Sequence, residues 1–549
     1  MKGIEGVIRR TIYRAVGLGD SEFDRPMIGV VNTWNELSPG HFHLKQVAEA
    51  VKAGVWQAGG TPLEFGAIST CGAIALGPSG GDALNYELPL RDALAASIEV
   101  VSEVHRLDGL ALLSTCDNVV PGELLAAARL NLPSIVVTGG PMLPGSYGGK
   151  EILMPDVGSA VLGAYPLGRI SDQDLSMWEK AACPTCGACP VLGTANSMQI
   201  ITEALGMCLP GSSTIPAIYG ERLSSARESG RKIVELVRSN LRPSDIITGA
   251  AFDNAIKVDL AIGGSTNVPL HLIAIARTIG VDVKLDRFDQ LSRVTPCICA
   301  VRPNGPYNVV DLHRAGGVMA VMSQLMDRLD LDVLTVSGRT LRENLCQASC
   351  GNPDVVRPIS DPVYREGGLA VLRGSLAPSG AIVRQSAVNK DRLSVKGPAV
   401  VFDSDEDSYR AIRNGTIRDG DIIIIRYEGP RGAPGMREVM LSTESIVGMG
   451  LDGKVSLVTD GRFSGFSRGP IIGHVSPEAA LGGPIAAVKN GDSVVIDIPR
   501  RRLDLEVPDD EIRDRLAKWV APEPKAKFGF LSLYAKTAEP AELGASMRA

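Results

Sequence analysis

The sequence is poor in histidine and in aromatic residues, which narrows both its chemistry and its core. Only six of the 549 residues are histidine and 4% are aromatic, whereas 61 are glycine. With so few imidazoles, a hydrolase that depends on a Ser–His–Asp triad is a poor fit. With so few aromatic rings, we expect an aliphatic core crossed by many tight turns and close backbone approaches.

Long apolar runs and large basic patches are also lacking. No span of about 20 apolar residues is free of Gly, Pro and polar groups, so we predict no membrane helix. The formal net charge is −6 and no basic stripe is visible, so we expect no nucleic-acid partner. Met1–Arg25 carries charges throughout and has no apolar run of signal-peptide length, which predicts a cytoplasmic protein. In such a protein, the ten cysteines are expected to be thiols or metal ligands, not a disulfide framework.

The first part of the sequence has the pattern of an α/β fold. From about Met27 to Ala320, short β-branched runs alternate with longer helical patterns, which predicts a parallel sheet flanked by helices. The predicted strands include Met27–Val31, Gly109–Leu113 and Ser134–Thr138, and the predicted helices include Leu44–Ala58, Leu90–Val104 and Gly122–Leu130. Ligands in such folds bind where strands end. The polar and glycine-rich loops at these places are Asn32–Gly40, Ser69–Gly81 and Thr115–Gly122.

The last third of the sequence changes to frequent short strands separated by turn pairs, which predicts a β-rich domain, barrel or sandwich. The predicted strands are Leu369–Leu372, Ala381–Arg384, Ala399–Phe402, Asp421–Tyr427, Val455–Thr459 and Ser493–Ile498. We therefore predict an N-terminal α/β domain over residues 1–355 and a C-terminal β-rich domain over residues 356–549. A chain of this length is too long for one ordinary core. The tail after Pro522 is expected to be partly loose.

Two consecutive CxxC steps stand in the segment Cys183–Cys189. Thiolates at positions 183, 186 and 189 suit zinc or an iron–sulfur cluster. No second CxxC follows at zinc-ribbon spacing, which weakens the case for zinc. A group of redox-inert thiols beneath a loop is the alternative, and it stays open at this point.

Two further cysteines lie in loops that follow apolar stretches. Cys116 is followed by Asp117 and Asn118, so a soft thiolate stands beside a hard carboxylate and the pair could serve two different metals. The alternative is an Asx N-cap that opens the next helix. Cys71 could be a third thiolate or simply a small buried hydrophobic residue.

In the β-rich half, two glycine-rich loops carry polar groups, Tyr427–Glu438 and Asp460–Gly469. Ser464, between Phe463 and Gly465, could be a nucleophile or base that the backbone presents. It does not stand in the G-x-S-x-G elbow of the α/β-hydrolases. Ordinary turn chemistry is the alternative for both loops.

Taken together, these segments resemble the dihydroxy-acid dehydratase and phosphogluconate dehydratase family, with the dihydroxy-acid branch closer. The resemblance covers nearly the whole chain in order. It runs through Asn32–His43, Ala58–Pro62, Cys116-Asp117, Cys183–Met198, Gly263–Asn267, Asp311–Gly317, Asp460–Gly465, Gly473–Glu478 and Asp497–Arg500.

The resemblance implies a role for particular residues. Cys116 and Cys189 match two cluster-binding cysteines of the family, and the place of the usual third one is Gly40 here. Some members instead carry a cysteine where Cys71 stands, so Cys71, Cys116 and Cys189 are the expected ligands, and three thiolates serve a [2Fe-2S] or a [4Fe-4S] cluster alike. Ser464 matches the proton-abstracting serine of the family. Asp117 and Glu438 match ligands of Mg²⁺.

Three departures from the family concern the magnesium site and the pocket. Gly72 stands where the family usually has an aspartate, and Asn118 stands where it has a carbamylated lysine. An amide oxygen still suits Mg²⁺, so Asn118 is a candidate ligand, and Asp82 or Glu87 in the longer loop 78–87 could replace the missing carboxylate. Phe466 replaces a usual glycine beside Ser464 and is expected to reshape the pocket.

The expected activity is a hydro-lyase reaction that converts a 2,3-dihydroxy acid of the 2,3-dihydroxyisovalerate type to a 2-oxo acid, as in branched-chain amino-acid biosynthesis. The small-molecule substrate is expected between the two domains, and the resemblance implies a homodimer or homotetramer. Two alternatives remain. One is a divergent member acting on a sugar acid or on a substrate of a specialised pathway. The other is a catalytically silent homologue with a degraded magnesium site.

Overall fold

The computed structural model describes residues 3–77, 81–465 and 467–548. Phe466, whose effect on the pocket is predicted above, lies outside the described residues. The strands are β1 Met27–Asn32, β2 Thr61–Gly66, β3 Gly109–Ser114, β4 Ser134–Thr138, β5 Gly145–Tyr147, β6 Lys150–Ile152, β7 Ala370–Leu372, β8 Gly380–Val383, β9 Ser394–Phe402, β10 Ile422–Ile425, β11 Ser456–Thr459, β12 Ile471–Ser476, β13 Ser493–Asp497 and β14 Arg502–Leu505.

The helices flank and connect these strands, and among the described residues none of them has both the length and the apolarity needed to cross a bilayer. They are α1 Val7–Arg14, α2 Asp20–Phe23, α3 Leu44–Gln57, α4 Glu87–His105, α5 Val119–Leu130, α6 Met154–Ser159, α7 Asp172–Ala181, α8 Thr194–Ala204, α9 Gly220–Ser239, α10 Pro243–Ile246, α11 Gly249–Ile262, α12 Val268–Ile279, α13 Leu285–Ser292, α14 Val309–Arg314, α15 Gly317–Gln324, α16 Leu341–Leu345, α17 Asp405–Arg413, α18 Met440–Met449, α19 Asp509–Ala517 and α20 Gly529–Thr537.

The N-terminal part is built on a four-stranded parallel sheet in the order β2-β1-β3-β4. β1, β3 and β4 are buried along their whole length, as expected for parallel strands covered by helices on both faces. The predicted α/β domain is confirmed, but the sheet is smaller than the predicted alternation to Ala320. In the described part of the chain, no strand joins this sheet after Thr138, and α6–α16 follow. Apolar runs such as Val268–Ile279 form buried helices there, and a run of this kind does not by itself distinguish a helix from a strand.

The C-terminal part is a mixed eight-stranded sheet that curls into a nearly closed barrel. Its order is β14-β13-β9-β10-β11-β12-β8-β7, and a bridge between Arg373 and Arg502 joins its two ends. The strands β9 to β12 are parallel, and α17 and α18 provide crossover connections. The four consecutive isoleucines of β10 are all buried, which fits a central parallel strand. The predicted β-rich, barrel-like domain is confirmed.

Strands β7 and β8 form a wall that the two domains share. Val371 and Ile382 pack into the large core of the N-terminal part. Their neighbours Ala370, Leu372, Ala381 and Val383 pack into the core of the barrel. Successive side chains of a strand point to opposite faces, so one pair of short strands serves both cores.

The C-terminal tail is more ordered than the sequence predicts. α20 packs through the buried Tyr534, whose hydroxyl donates a hydrogen bond of 2.6 Å to the carbonyl of Ala545. The Arg91 guanidinium, on α4, donates to the carbonyls of Gly544 and Ala545 at 2.9 and 3.2 Å. The prediction of a partly loose tail after Pro522 is therefore wrong for residues 529–547, because buried hydrogen bonds tie them to the N-terminal domain.

Candidate active site

The three predicted ligand-binding loops meet at one edge of the first sheet. β1 is paired in parallel with β2 and β3, so that Asn32 lies opposite Gly66 on one side and Leu113 on the other. The loops that follow these strands therefore leave the sheet side by side. This is the edge at which open α/β sheets bind their ligands.

A cavity of about 110 Å³ lies at this edge and is closed by the barrel. Most of its wall comes from the N-terminal domain: Pro39, Gly40, Cys71, Gly72, Ala73, Glu87, Cys116, Asp117, Met142, Met154, Gly187, Ala188, Cys189, Val191, Gly193, Thr194 and Ala195. The barrel adds Glu438, Met440, Ser464 and Gly465. Six of the seven site residues predicted from the sequence thus line one cavity between the domains, and Asn118 is the exception.

The thiols of Cys71, Cys116 and Cys189 are electrostatic neighbours in this cavity. A hydrogen bond with the Cys116 thiol lowers the pKa of Cys71 to about 7, and the backbone N–H groups of Ala73 and Ile74 act in the same direction. The same contact raises the pKa of Cys116, and burial adds to the rise. Burial followed by the charge of Cys71 raises the pKa of Cys189. Cys71 is therefore the thiol that ionises first, and its negative charge opposes the ionisation of Cys116 and Cys189.

A close backbone approach fixes Cys116. A Cβ atom at Gly40 would lie 2.3 Å from Cys116 Sγ, so residue 40 can carry no side chain while the thiol keeps its place. The Cys116 backbone N–H donates to His41 Nε2 at 3.4 Å, and His41 Nδ1 is paired with the Thr33 hydroxyl at 2.9 Å. Burial lowers the pKa of His41 to about 3, so this imidazole is neutral.

The loop that carries Cys189 packs closely against the loop Asn32–Gly40. Gly187 N–H donates to the Pro39 carbonyl at 2.9 Å, and Ala188 N–H donates to the Gly140 carbonyl at 3.0 Å. Gly187 has a φ of 119°, and a Cβ there would lie 2.4 Å from the Met142 nitrogen. Cys183 is exposed, Cys186 is partly buried, and neither lines the cavity.

Three carboxyl groups line the other side of the cavity. Asp117 and Glu438 were predicted, and Glu87, at the start of α4, was one of two suggested substitutes for the carboxylate missing at Gly72. Burial first, and then the charge of Glu438, raises the pKa of Asp117 to about 7. Burial, Glu438 and Asp117 together raise the pKa of Glu87 well above its usual range. The other suggested substitute, Asp82, does not line the cavity.

Arg462 is the cation that the sequence reasoning missed. It is fully buried, and its Nη1 lies 3.4 Å from Glu438 Oε1 while its Nη2 lies 3.9 Å from Glu87 Oε2. Asn267 Nδ2 also donates to Glu438 Oε1, at 2.7 Å. Arg462 stands within the quoted Asp460–Gly469 loop, but no local pattern indicates that it reaches residues of both domains.

Asn118 does not face the cavity. It occupies the N-cap position of α5, is buried, and makes no side-chain capping hydrogen bond. Its Oδ1 atom has no hydrogen-bond partner among the described residues. The side chain therefore does not act as an Asx cap, and the role of Asn118 as a metal ligand stays a prediction.

Ser464 is buried and lines the cavity from the barrel side. β10 and β11 are adjacent parallel strands, so the loops after them, which carry Glu438 and Ser464, open on the same edge. The next residue, Gly465, touches the N-terminal domain, and a Cβ there would lie 2.7 Å from Gly193 Cα.

Arg384, which follows β8, clamps this contact and was not predicted. Its buried guanidinium donates to the carbonyls of Gly465 in the barrel and of Leu192 and Gly264 in the N-terminal domain, the latter two at 3.2 and 2.5 Å. One side chain thereby fixes the serine loop against two loops of the other domain.

A neighbouring cavity of about 300 Å³ shares Val191 with the first and is lined by Arg302, Arg468 and Glu444 among others. Arg468 lines this cavity and not the one that contains Ser464. In the described part of the chain, no group of three or more His, Cys, Asp and Glu side chains is already arranged to hold a metal ion. The donors share one cavity but do not form a closed ligand set.

Comparisons with known proteins agree over the whole chain. Residues 25–344 match the family model described as Dihydroxy-acid/6-phosphogluconate dehydratase N-terminal, and residues 354–545 match the corresponding C-terminal model. The chain is 50% identical over 546 residues to the dihydroxy-acid dehydratase of Acetivibrio thermocellus, covering 99% of this chain and 98% of that protein. It is 48% identical over 549 residues to the dihydroxy-acid dehydratase of Pyrococcus abyssi, covering 100% of this chain and 98% of that protein.

Proposed function

The chain belongs to the dihydroxy-acid/6-phosphogluconate dehydratase family, and from this premise we propose that it converts a 2,3-dihydroxy carboxylic acid to a 2-oxo acid. The observation that carries the proposal is the single interdomain cavity, in which three thiols, three carboxyl groups and Ser464 face one another. The reaction removes the proton on C2 and the hydroxyl group on C3, and the resulting enol tautomerises to the 2-oxo acid.

We propose that Cys71, Cys116 and Cys189 hold an iron–sulfur cluster of the [2Fe-2S] or [4Fe-4S] type. The donor set fits, because three thiols share a largely buried cavity and the Cys71 pKa of about 7 favours the thiolate that such clusters require. When bound, a cluster with three protein ligands supplies a Lewis acid for a poor leaving group.

The oxygen donors of the cavity suit Mg²⁺. Asp117 Oδ1 is inaccessible to solvent and has no hydrogen-bond partner among the described residues. Asp117 and Glu438 face one cavity, and their carboxylate oxygens are the ligands that this hard cation prefers. We propose that both residues bind Mg²⁺ there, which would supply positive charge for a substrate carboxylate.

Side chains of the protein itself are proposed to remove the C2 proton and to position the base. Ser464 Oγ is buried in the cavity wall and is the group proposed to accept the C2 proton. A free serine hydroxyl is a weak base, so its deprotonated form needs nearby positive charge, which the proposed Mg²⁺ would supply. Arg384 keeps the loop that carries Ser464 in register with the N-terminal loops.

An assay of anaerobically purified protein tests this function. Formation of 2-oxo acid is measured with 2,3-dihydroxyisovalerate and with a panel of sugar acids, alongside analysis of iron and sulfide. We expect turnover of 2,3-dihydroxyisovalerate. Turnover of another acid alone would identify the divergent family member, and a cluster-loaded protein that turns over none of them would be the silent homologue.

We further propose that the protein is a homodimer or homotetramer, assembled through the exposed face of α1 and the residues next to it. Ile8, Ile12 and Val16 follow one another at helical spacing and are 74%, 63% and 68% exposed. An apolar stripe of this kind on the surface marks a contact with another chain, and an identical copy is the usual partner. Light scattering should give at least twice the monomer mass, and Ile8→Glu with Ile12→Glu should give the monomer. A wild-type monomer would contradict the proposal.

A further inference from the structure

We propose that Glu87 is a ligand of the divalent cation, so that helix α4 supplies the carboxylate that the loop at Gly72 cannot. This inference rests on the proposed function, because the cation site is part of the same dehydratase cavity. It adds a residue from a different structural element to Asp117 and Glu438.

The first observation is that Glu87 occupies the space beside Gly72. A Cβ atom built on Gly72 would lie 1.2 Å from Glu87 Oε1 and 2.0 Å from the carboxyl carbon of Glu87. The carboxyl group of Glu87 therefore fills the volume that any side chain at residue 72 would enter. The two positions, 15 residues apart in the sequence, cannot both place a side chain there.

The second observation is that Glu87 is buried and that its carboxyl group has no hydrogen bond to any residue that the structure describes. The residue is only 7% exposed and its side chain lines the cavity. Among the described residues, its single charged partner is Arg462, whose Nη2 lies 3.9 Å away, beyond hydrogen-bonding distance. A carboxylate in such surroundings is costly unless a ligand pairs with it.

The third observation is the balance of charge. Glu87, Asp117 and Glu438 line one small cavity, and within residues 3–77, 81–465 and 467–548 Arg462 is the one cation in an ion pair with any of them. Asp117 forms no salt bridge within the described residues, and its Oδ1 has no hydrogen-bond partner there. A hard divalent cation bound by oxygen atoms would match this excess of negative charge.

The three carboxyl groups are not yet gathered as a finished metal site. Glutamate reaches farther than aspartate and has three rotatable side-chain bonds, so Glu87 can move toward Asp117 when the cation binds. Because Glu87 follows the segment 81–86 and begins α4, its backbone is held by the helix while its side chain adjusts.

The test measures cation binding separately from turnover. Mn²⁺ is titrated into the anaerobically prepared, cluster-containing protein and followed by electron paramagnetic resonance. We expect Glu87→Gln to weaken Mn²⁺ binding at least about tenfold, while iron and sulfide contents stay unchanged. Glu444→Gln is the matched control, because Glu444 is also a buried carboxyl but lines the neighbouring cavity, and it should leave Mn²⁺ affinity unchanged.

A double-mutant cycle tests whether a carboxylate at residue 72 can replace the one at residue 87. Gly72→Asp alone should weaken Mn²⁺ binding, because the new side chain collides with Glu87. Gly72→Asp combined with Glu87→Ala should bind Mn²⁺ more tightly than Glu87→Ala alone, because the new carboxylate then has room. Strictly additive effects, wild-type affinity in folded Glu87→Gln, or no Mn²⁺ binding by the wild type would each overturn the inference. Wild-type turnover tests the proposed function independently.

Discussion

The two domains contribute to the cavity in different ways. The N-terminal domain supplies all three thiols from loops that approach one another on glycine contacts, such as Gly40 against the Cys116 sulfur. The barrel supplies Glu438 and Ser464 from loops pinned by buried charged groups. Asp460, for example, accepts hydrogen bonds from the backbone N–H groups of Tyr427, Glu428 and Ala479, between 2.9 and 3.1 Å.

Under the proposed function, the N-terminal loops hold the iron–sulfur cluster and the barrel loop carries the base that accepts the proton. The proposal predicts that a substitution of a thiol in the N-terminal loops removes the cluster, and that a substitution in the barrel loop leaves it in place. The variants below test the contrast in order of decreasing effect.

The largest effect is expected from Cys116→Ser, which removes one of the three thiols proposed to hold the cluster. Iron and sulfide should be lost together, and turnover should fall by more than about 100-fold, the upper range for residues that merely orient metal ligands. Elemental analysis and the 2-oxo acid assay measure both. Cys346→Ser is the control, because Cys346 is exposed and does not line the cavity. Full iron content in Cys116→Ser would remove this thiol from the proposed ligand set.

Ser464→Ala should lower kcat by about 10²- to 10⁴-fold, the range for loss of a positioned base, with iron and sulfide unchanged. Ser456→Ala provides the comparison, because Ser456 is buried on the preceding strand β11 and its hydroxyl has no partner among the described residues. Its kcat should stay at the wild-type value. A Ser464→Ala protein that lost its cluster would break the contrast between the domains.

The sequence predicts the half of the site that depends on local patterns. Strands followed by polar loops place Cys71 and Cys116 at the same edge, because the parallel strands β2 and β3, which flank β1, end at one edge of the sheet. The two arginines depend on tertiary packing alone. Arg384 binds carbonyls 81, 120 and 192 residues away, and Arg462 reaches Glu87 in the other domain. No spacing rule connects such positions.

The fold shows the same division. The boundaries of β1, β3 and β4 lie within a residue of the predicted ones, since alternating β-branched runs and helices are a strong pattern. The strands β12 and β14 were not predicted. The sequence of β12 carries a glycine and a histidine, and β14 alternates charged and apolar residues over only four positions. Their pairing with distant strands stabilises them, not their own composition.

Arg384→Lys should have an intermediate effect, because a lysine cannot bond three carbonyls in the fixed geometry of a guanidinium. We expect kcat to fall by about 10- to 100-fold, as for a small misplacement of a reacting group. KM should change little and iron content should not change. The free energy of unfolding should fall by about 2 kcal/mol, measured by urea denaturation. An unchanged kcat would show that the serine loop keeps its position without the clamp.

The smallest effects are expected from helix caps, one in each domain. Thr340 caps α16 by accepting a hydrogen bond from Glu343 N–H, and Ser404 caps α17 by accepting one from Asp407 N–H. Thr340→Ala and Ser404→Ala should each lower the free energy of unfolding by about 1 kcal/mol and leave kcat unchanged. Separate unfolding transitions for the two variants would mean that the domains melt independently.

The shared wall of β7 and β8 sets a rule for exchanging parts between related proteins. Cutting the chain near residue 355 and joining it to another barrel would replace Val371 and Ile382, which complete the core of the first domain. A working hybrid must keep these two side chains from one parent and take Ala381 and Val383 from the other. The boundary between the two cores runs between the opposite faces of β7 and β8. A hybrid with a single crossover point therefore cannot keep both cores intact.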